Sequence, residues 1–319
     1  MLNLLAVGRV DGLLTEPSPW TKERTMTLLT ASSDRSAIRL GLPKGRMHEE
    51  VIRLLADAGI RLSHGPREYR PRISLDGFEV KFLKPQNLVE MLHAGSRDIG
   101  FAGADWVAEL ELELVEMLDT ELNPIRLVAA TTDAFLNSGR EASEPFIVAT
   151  EFANLTKRWL ADNGHNGSIL RSFGATEVFP PEDADYIVDV TATGATLEAN
   201  NLTIVDELMT SSTRLYANPR VLDEPERRDS VERLVMVLGA VLEARKRVMV
   251  EVNVPLDRLD DLIAVMPCMR EPTVSPLNDA QGYAVKAAVP RDVLARAIPE
   301  IKACGGTDIV VIEIAQIVS

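Results

Sequence analysis

The stretch Asp189 to Leu202 reads Asp-Val-Thr-Ala-Thr-Gly-Ala-Thr-Leu-Glu-Ala-Asn-Asn-Leu and follows directly on the apolar run Tyr186-Ile187-Val188. An acid closing a strand, then a hydroxyl-rich turn around one glycine, then a helix start suits a phosphate carried on a sugar. Backbone N–H groups of such a turn converge on an anion, and the helix N-terminus adds partial positive charge. The hydroxyls of Thr191, Thr193 and Thr196 add donors. Asp189 could accept hydrogen bonds from ribose hydroxyls, which favours a sugar phosphate over a bare one. Glycine and threonine also serve ordinary strand-to-helix turns, so this stretch alone leaves both readings open.

A second group of residues could meet an anion from the other side. Lys44 and Arg46 flank Gly45 where an apolar run hands over to a helical pattern, and there they could hold a polyphosphate; solvated surface charge is the plainer reading. Arg67, Arg70, Arg72, Lys81 and Lys84 concentrate positive charge nearby, in a chain whose formal net charge is −14. That local contrast favours an anion site. Asp98 and Asp105 flank a Gly-Phe-Ala-Gly turn, where they could contact substrate, or Asp105 could simply favour a helix start. Other chemistries find no support. There is no G-x-x-x-x-G-K-[S/T] loop, no dinucleotide glycine fingerprint and no G-x-S-x-G elbow, and the four histidines form no zinc spacing.

These residues need a scaffold, and 319 residues that are 46% hydrophobic and 26% charged can supply two or three soluble domains. The acidic balance argues against a nucleic-acid surface. No apolar run reaches the roughly 18 residues of a membrane span. The short apolar N-terminus lacks the features of an export signal, which points to a cytoplasmic protein with Cys268 and Cys304 reduced. Strands at Ile38–Leu42, Phe78–Leu83 and Asp98–Ala102 alternate with helical patterns, as a mainly parallel β/α sheet requires. A second such run follows, with strands at Leu127–Ala130, Phe146–Ala149, Ser168–Leu170 and Tyr186–Val190, and with Asn154 as expected cap of a helix over Leu155–Ala161. The chain is expected to cross between lobes near Asn123-Pro124 and to return near Asn201 to Asp206. An apolar helical period from Glu226 to Arg247 leads into a β-α-β-β-α-β order, the ferredoxin-like pattern. The expected division is a weakly ordered extension over 1–36, a first lobe from 37–122 with 206–228, a second lobe over 123–205, and a linker helix with a small domain over 229–319.

Four motifs in this order, Gly41-Leu42-Pro43-Lys44-Gly45-Arg46, Asp98 to Asp105, Asn154 to Arg158 and Asp189 to Leu202, resemble ATP phosphoribosyltransferase, the family that opens histidine biosynthesis. The stretch Glu271-Pro272-Thr273-Val274-Ser275-Pro276-Leu277 and the ferredoxin-like pattern resemble the regulatory domain of the family's long form. The resemblance runs from about residue 38 to the end. It implies an α/β fold with a two-lobed, periplasmic-binding-protein-like catalytic region and a C-terminal ferredoxin-like domain. It implies transfer of the phosphoribosyl group of 5-phosphoribosyl 1-pyrophosphate to N1 of ATP. In that reading Thr191, Ala192, Thr193, Gly194, Ala195 and Thr196 hold the 5-phosphate, while Asp189 and Glu177 face the sugar. Lys44, Gly45, Arg46, Arg72, Lys84, Asp98 and Asp105 face ATP or pyrophosphate. Mg²⁺ rides on the pyrophosphate oxygens without a protein cage, and no residue is identified as a catalytic base. Histidine acts as feedback inhibitor at the C-terminal domain, through Thr273 and Ser275, in a homo-hexamer. Ala192 departs from the serine frequent in the family, which removes one hydroxyl donor. The competing readings are a two-lobed small-molecule binding or sensor protein and a phosphoribosyltransferase acting on a different base.

Overall fold

The structure, a computed structural model, describes residues 37–63, 65, 68–139, 144–278 and 281–318. The expected extension over 1–36, and Arg67, lie outside the described residues. β1 (Ile38–Pro43) ends in a 3-10 turn, Gly45–Met47, and runs into α1 (His48–Asp57), which buries Val51, Leu54 and Leu55 along one stripe. Gly59, at φ +80, then turns the chain back. Two short strands, β2 (Leu62–Ser63) and β3 (Arg72–Ile73), pair antiparallel within what the sequence shows only as a basic stretch. β4 (Phe78–Leu83), α2 (Pro85–His93), β5 (Ile99–Gly103) and α3 (Ala104–Leu110) complete the first β/α run. Pro85 opens α2 where its missing N–H removes no helical bond.

The next run holds β6 (Val115–Thr132), α4 (Asp133–Leu136), β7 (Phe146–Thr150), α5 (Ala153–Asp162), β8 (Gly167–Arg171), β9 (Tyr186–Thr191), α6 (Ala195–Ala199) and β10 (Leu202–Ala217). One eight-stranded sheet, ordered β4-β1-β5-β10-β6-β9-β7-β8, spans both lobes. The lobes are therefore joined by two long antiparallel strands, β6 and β10, where the sequence suggested short strands and two loop crossings. The misleading signals are Glu121 and Asn123, both at positive φ, and Pro124. The register passes from Thr213↔Leu122 to Ser211↔Ile125, so Asn123 and Pro124 bulge out of the ladder. The missing N–H of Pro124 is tolerated there, because β9 pairs with β6 only from Arg126 onward.

α7 (Pro219–Asp223) precedes α8 (Pro225–Arg245), whose Val231, Leu234, Leu238 and Val241 enter the core formed by Leu40, Leu42, Leu54 and Phe101. The apolar stripe of α8 thus packs within the chain. The C-terminal domain follows as β11 (Arg247–Pro255), α9 (Leu259–Val265), β12 (Thr273–Pro276), β13 (Gly282–Pro290), α10 (Leu294–Ala303) and β14 (Thr307–Glu313). Its sheet is antiparallel in the order β12-β13-β11-β14, the ferredoxin-like arrangement. Val248, Val250, Val252 and Val254 alternate onto the face that meets Leu262, Ala297 and Ile301. β14 stops at Glu313 rather than running to Val318, because the tail turns back and Ile317 N–H donates to Ala240 O at 3.0 Å. Both cysteines are free thiols. Among the described residues no helix is long and apolar enough to cross a membrane.

Candidate active site

The carboxyl ends of parallel strands are where open α/β sheets bind ligands, because helix starts and loops converge there. β1, β5, β7 and β9 all deliver chain to one cleft of about 310 Å³. From the first lobe Lys44, Arg46, Met47, Asp105 and Trp106 line it; from the second come Glu151, Phe152, Gly174, Ala175, Thr176 and Asp189. A second hollow of about 510 Å³ shares Lys44 and Arg46 and adds Gly45, Glu49, Glu68 and Phe82.

The second-lobe wall is acidic and stiff. Thr191 is buried at the end of β9, and its Oγ1 accepts the Gly194 N–H at 2.9 Å, closing the turn while the hydroxyl hydrogen can still donate. Gly194 needs its φ of +88, which a β-branched side chain would resist. Ala192 and Thr193 are exposed beside it. Below the turn, Gly174 (φ +100) and Ala175 (φ +48) curl the next loop inward. A buried bond of 2.9 Å between the Ser172 and Thr176 hydroxyls fixes that curl. Burial opposes ionisation of Asp189; a hydrogen bond from the Val190 N–H at 2.7 Å works against that, and the carboxylates of Glu177 and Glu151 add repulsion. The net result is a carboxyl pushed up to about 6.

The first-lobe wall is cationic. Lys44 Nζ sits 3.5 Å from the centroid of the Tyr69 ring, a cation–π contact worth about 0.5–1 kcal/mol at an exposed site. The Lys44 N–H donates to Leu83 O at 2.8 Å, which ties the β1 and β4 ends together. Arg46 is exposed one turn away. Asp105 is buried, with its Oδ1 accepting the Ser211 hydroxyl at 2.7 Å and its own N–H donating to Ser211 Oγ at 3.0 Å.

Residues 84–240 match the family described as ATP phosphoribosyltransferase, and residues 244–316 match the one described as HisG, C-terminal domain. The ATP phosphoribosyltransferase of Chlorobium chlorochromatii (strain CaD3) is 35% identical over 283 residues, 87% of this chain and 96% of that protein. The chain belongs to the ATP phosphoribosyltransferase family. The ATP phosphoribosyltransferase of Pelotomaculum thermopropionicum is 36% identical over 287 residues, 88% of this chain and 99% of that one. Among solved structures, the ATP phosphoribosyl transferase (HisG:HisZ) complex from Thermotoga maritima aligns with a TM-score of 0.57 at 30% identity, covering 65% of this chain and 98% of its own. Membership, with the C-terminal domain present, makes this a long-form ATP phosphoribosyltransferase, a transferase of the first step of histidine biosynthesis.

In this member of the ATP phosphoribosyltransferase family the structure brings Lys44, Arg46, Asp105 and Asp189 to one cleft. Asp98 is not among them. It lies at the opposite end of β5 from Asp105, buried, and accepts from Arg39 at 2.7–2.9 Å and from Arg227 at 2.7 Å. Arg72 and Lys84 are exposed, on β3 and at the start of α2, and neither lines the cleft. Thr273 and Ser275 lie exposed on the edge strand β12; Thr273 is opposite Lys286, which pairs with Glu251. Sequence reasoning missed Glu151, Phe152 and Trp106. Glu151 was findable as the acid closing the β7 run, whereas Trp106 stacks on Phe152 at 4.7 Å across lobes, a pairing no local pattern signals. Asn154 does not cap α5 either. The helix begins at Ala153, and the Glu109 carboxylate from α3 accepts the N–H groups of Asn154 and Leu155 at 2.9–3.1 Å. A carboxylate at a helix N-terminus is favourable, and here it links the two lobes.

Proposed function

We propose that the protein transfers the phosphoribosyl group of 5-phosphoribosyl 1-pyrophosphate to N1 of the adenine of ATP, releasing pyrophosphate. The observation that carries this reading is the pair of cleft walls: Glu151, Asp189 and the Thr176 side chain from the second lobe, Lys44 and Arg46 from the first, with the Thr191–Thr196 turn following directly on Asp189 outside the cleft lining. The sugar carbon gains positive character as pyrophosphate leaves, so one side must fix the sugar and the other must take up departing negative charge. The Thr191–Thr196 turn holds the 5-phosphate through backbone N–H groups and hydroxyls, and Asp189 and Glu177 accept from the ribose. Lys44 and Arg46 face the pyrophosphate or the ATP phosphates. Asp105 orients the adjoining helix start, while Asp98, with its acceptors already engaged by two arginines, acts as a structural anchor in place of a substrate contact.

Among the described residues no three His, Cys, Asp or Glu groups form a ready cage for a metal. Mg²⁺ would instead be carried by the pyrophosphate oxygens and water, without a protein cage. Bound in that way it would neutralise charge on the leaving group. Histidine inhibits at the C-terminal domain, with Thr273 and Ser275 in the site, within a cytoplasmic homo-hexamer. The proposed functional units are 37–122 with 206–228, then 123–205, then 229–319.

The test mixes purified full-length protein with ATP, the pyrophosphorylated sugar and Mg²⁺, and follows pyrophosphate release together with the ultraviolet change of the adenine ring. Turnover that stops on chelation, and that falls on titration with histidine, is the expected result. Turnover only with another base assigns a different acceptor; no turnover under any of these conditions refutes the proposal. Gly194→Val is expected to abolish affinity for the sugar donor by straining the turn, since valine resists the φ of +88, and to leave the fold intact, since a Cβ there meets only Ile204 Cδ1 at an ordinary 3.7 Å.

A further inference from the structure

Lys44 stands between two kinds of partner. Glu49 and Glu68 line the same hollow, yet among the described residues its ammonium pairs with neither carboxylate and lies on the face of Tyr69 at 3.5 Å. Tyr69 is half exposed, at 57%, so core packing does not explain why a large ring stands there. Its backbone is held in place: Phe82 N–H donates to Tyr69 O at 2.9 Å, from the strand next to β1. A ring offers an ammonium an attractive surface without neutralising it, and an exposed carboxylate offers little more. A polyanion, with several charged oxygens, outcompetes a single carboxylate, and it can meet the ammonium on the side that the ring leaves open.

We propose that Tyr69 is a positioning residue for Lys44: its ring holds the ammonium at the cleft, away from Glu49 and Glu68, and keeps that contact while the ammonium meets a pyrophosphate or triphosphate group. The inference rests on the reading of Lys44 as an anion-facing residue of this site. Tyr69 itself touches no substrate. Its contribution is that the cation waits beside the cleft as an unneutralised charge already in place, so that binding of the anion breaks neither the ring contact nor an ion pair.

The experiment is calorimetric titration of the full-length protein with inorganic pyrophosphate and Mg²⁺, alongside steady-state kinetics. Tyr69→Leu, which keeps apolar volume without a π face, is expected to weaken pyrophosphate binding about three- to fivefold. KM for the substrate that Lys44 meets should rise by the same factor, with kcat and the thermal midpoint unchanged. Tyr69→Phe retains the ring and is expected to restore wild-type affinity. In a Lys44→Met background, Tyr69→Leu should have no further effect, because the two residues act as one unit. Wild-type binding by Tyr69→Leu, a Phe variant as weak as the Leu variant, or additive losses in the double variant would each overturn the inference and leave the proposed function standing. An unsubstituted protein that turns over substrate but binds no pyrophosphate would overturn the anion role of Lys44, and Tyr69's with it.

Discussion

Two aspartates of the catalytic region are alike in sequence setting and opposite in physical state. Asp98 and Asp189 each lie at one end of a buried strand, and burial opposes ionisation of both. At Asp98, hydrogen bonds from the Arg39 side chain and backbone, with the charges of Arg39 and Arg227, overcome burial and hold the carboxyl below its ordinary range. At Asp189 the neighbours are Glu177 and Glu151, and the carboxyl is pushed up to about 6. A carboxylate used to hold the fold is given its cations. Asp189, for which we propose a ligand, is eased only by hydrogen bonds from Val190 and Thr176, and a ligand's hydroxyls or cation would supply the rest.

The largest effect expected from this contrast is on Asp98→Ala. It leaves two guanidinium groups facing an empty acceptor site, and breaking such a pair costs about 3–5 kcal/mol. The lower end applies, since the side chains of Arg39 and Arg227 keep 21% and 17% exposure. Because the folded pKa of Asp98 lies below the unfolded value, its stabilisation is present above about pH 4 and is lost as pH falls through the folded value. Urea unfolding at pH 7 and pH 3 checks this: a wide gap between wild type and variant at neutral pH should narrow in acid. Equal stability at pH 7 would mean that Arg39 and Arg227 do not anchor the lobe through Asp98.

Sequence could not tell these aspartates apart, because what separates them lies far away in the chain. Asp98 is partnered by Arg39 and Arg227, on β1 and α8, and Asp189 by residues of two other loops. What was legible was local: apolar runs of strand length, helical stripes such as that of α1, and the Asp-to-Thr turn closing β9. The long β6 and β10 strands were hidden because Asp119, Thr120, Ser212 and Thr213 satisfy one another across the ladder, so polar residues that read as loop sit inside a sheet. Glu109 capping α5 was hidden for the same reason, since the capping carboxylate comes from another helix. The turn proposed to hold the anion could be read locally because its residues, Thr191 to Thr196, are contiguous.

A smaller effect, of opposite sign, is expected from Asp189→Asn. Here the folded pKa exceeds the unfolded one, so the stability linked to this group is present below about pH 4 and lost as pH rises through about 6. At pH 7.5 the amide removes a penalty of about 1–3 kcal/mol, the range given by 1.36 kcal/mol per unit with allowance for partial solvation. The variant should therefore melt higher than wild type at pH 7.5 and equal to it at pH 4, while losing affinity for the sugar donor. A lower melting temperature at pH 7.5 would show that Asp189 is compensated in the folded protein after all, and the contrast with Asp98 would collapse.

The smallest effect isolates the Glu177 charge among the causes of the Asp189 shift, which are burial, Glu177 and Glu151. Burial is the larger and the Glu177 charge a lesser contributor. Glu177→Gln removes that charge while keeping the side-chain length, so the Asp189 midpoint should move down from about 6 yet stay above the ordinary 3.8. In energy this is under about 1 kcal/mol, as 1.36 kcal/mol corresponds to a full unit. Carboxyl-carbon NMR of Asp189 across pH 3 to 8 reads it directly. The pH dependence of sugar-donor affinity should follow, because the acceptor strength of Asp189 rises as it ionises. A fall all the way to 3.8 would make repulsion the main cause, and the site would then be an acidic cluster tuned by Glu177. A midpoint that does not move would leave burial and the Glu151 charge responsible, and would place Glu177 too far from Asp189 to share a ribose with it.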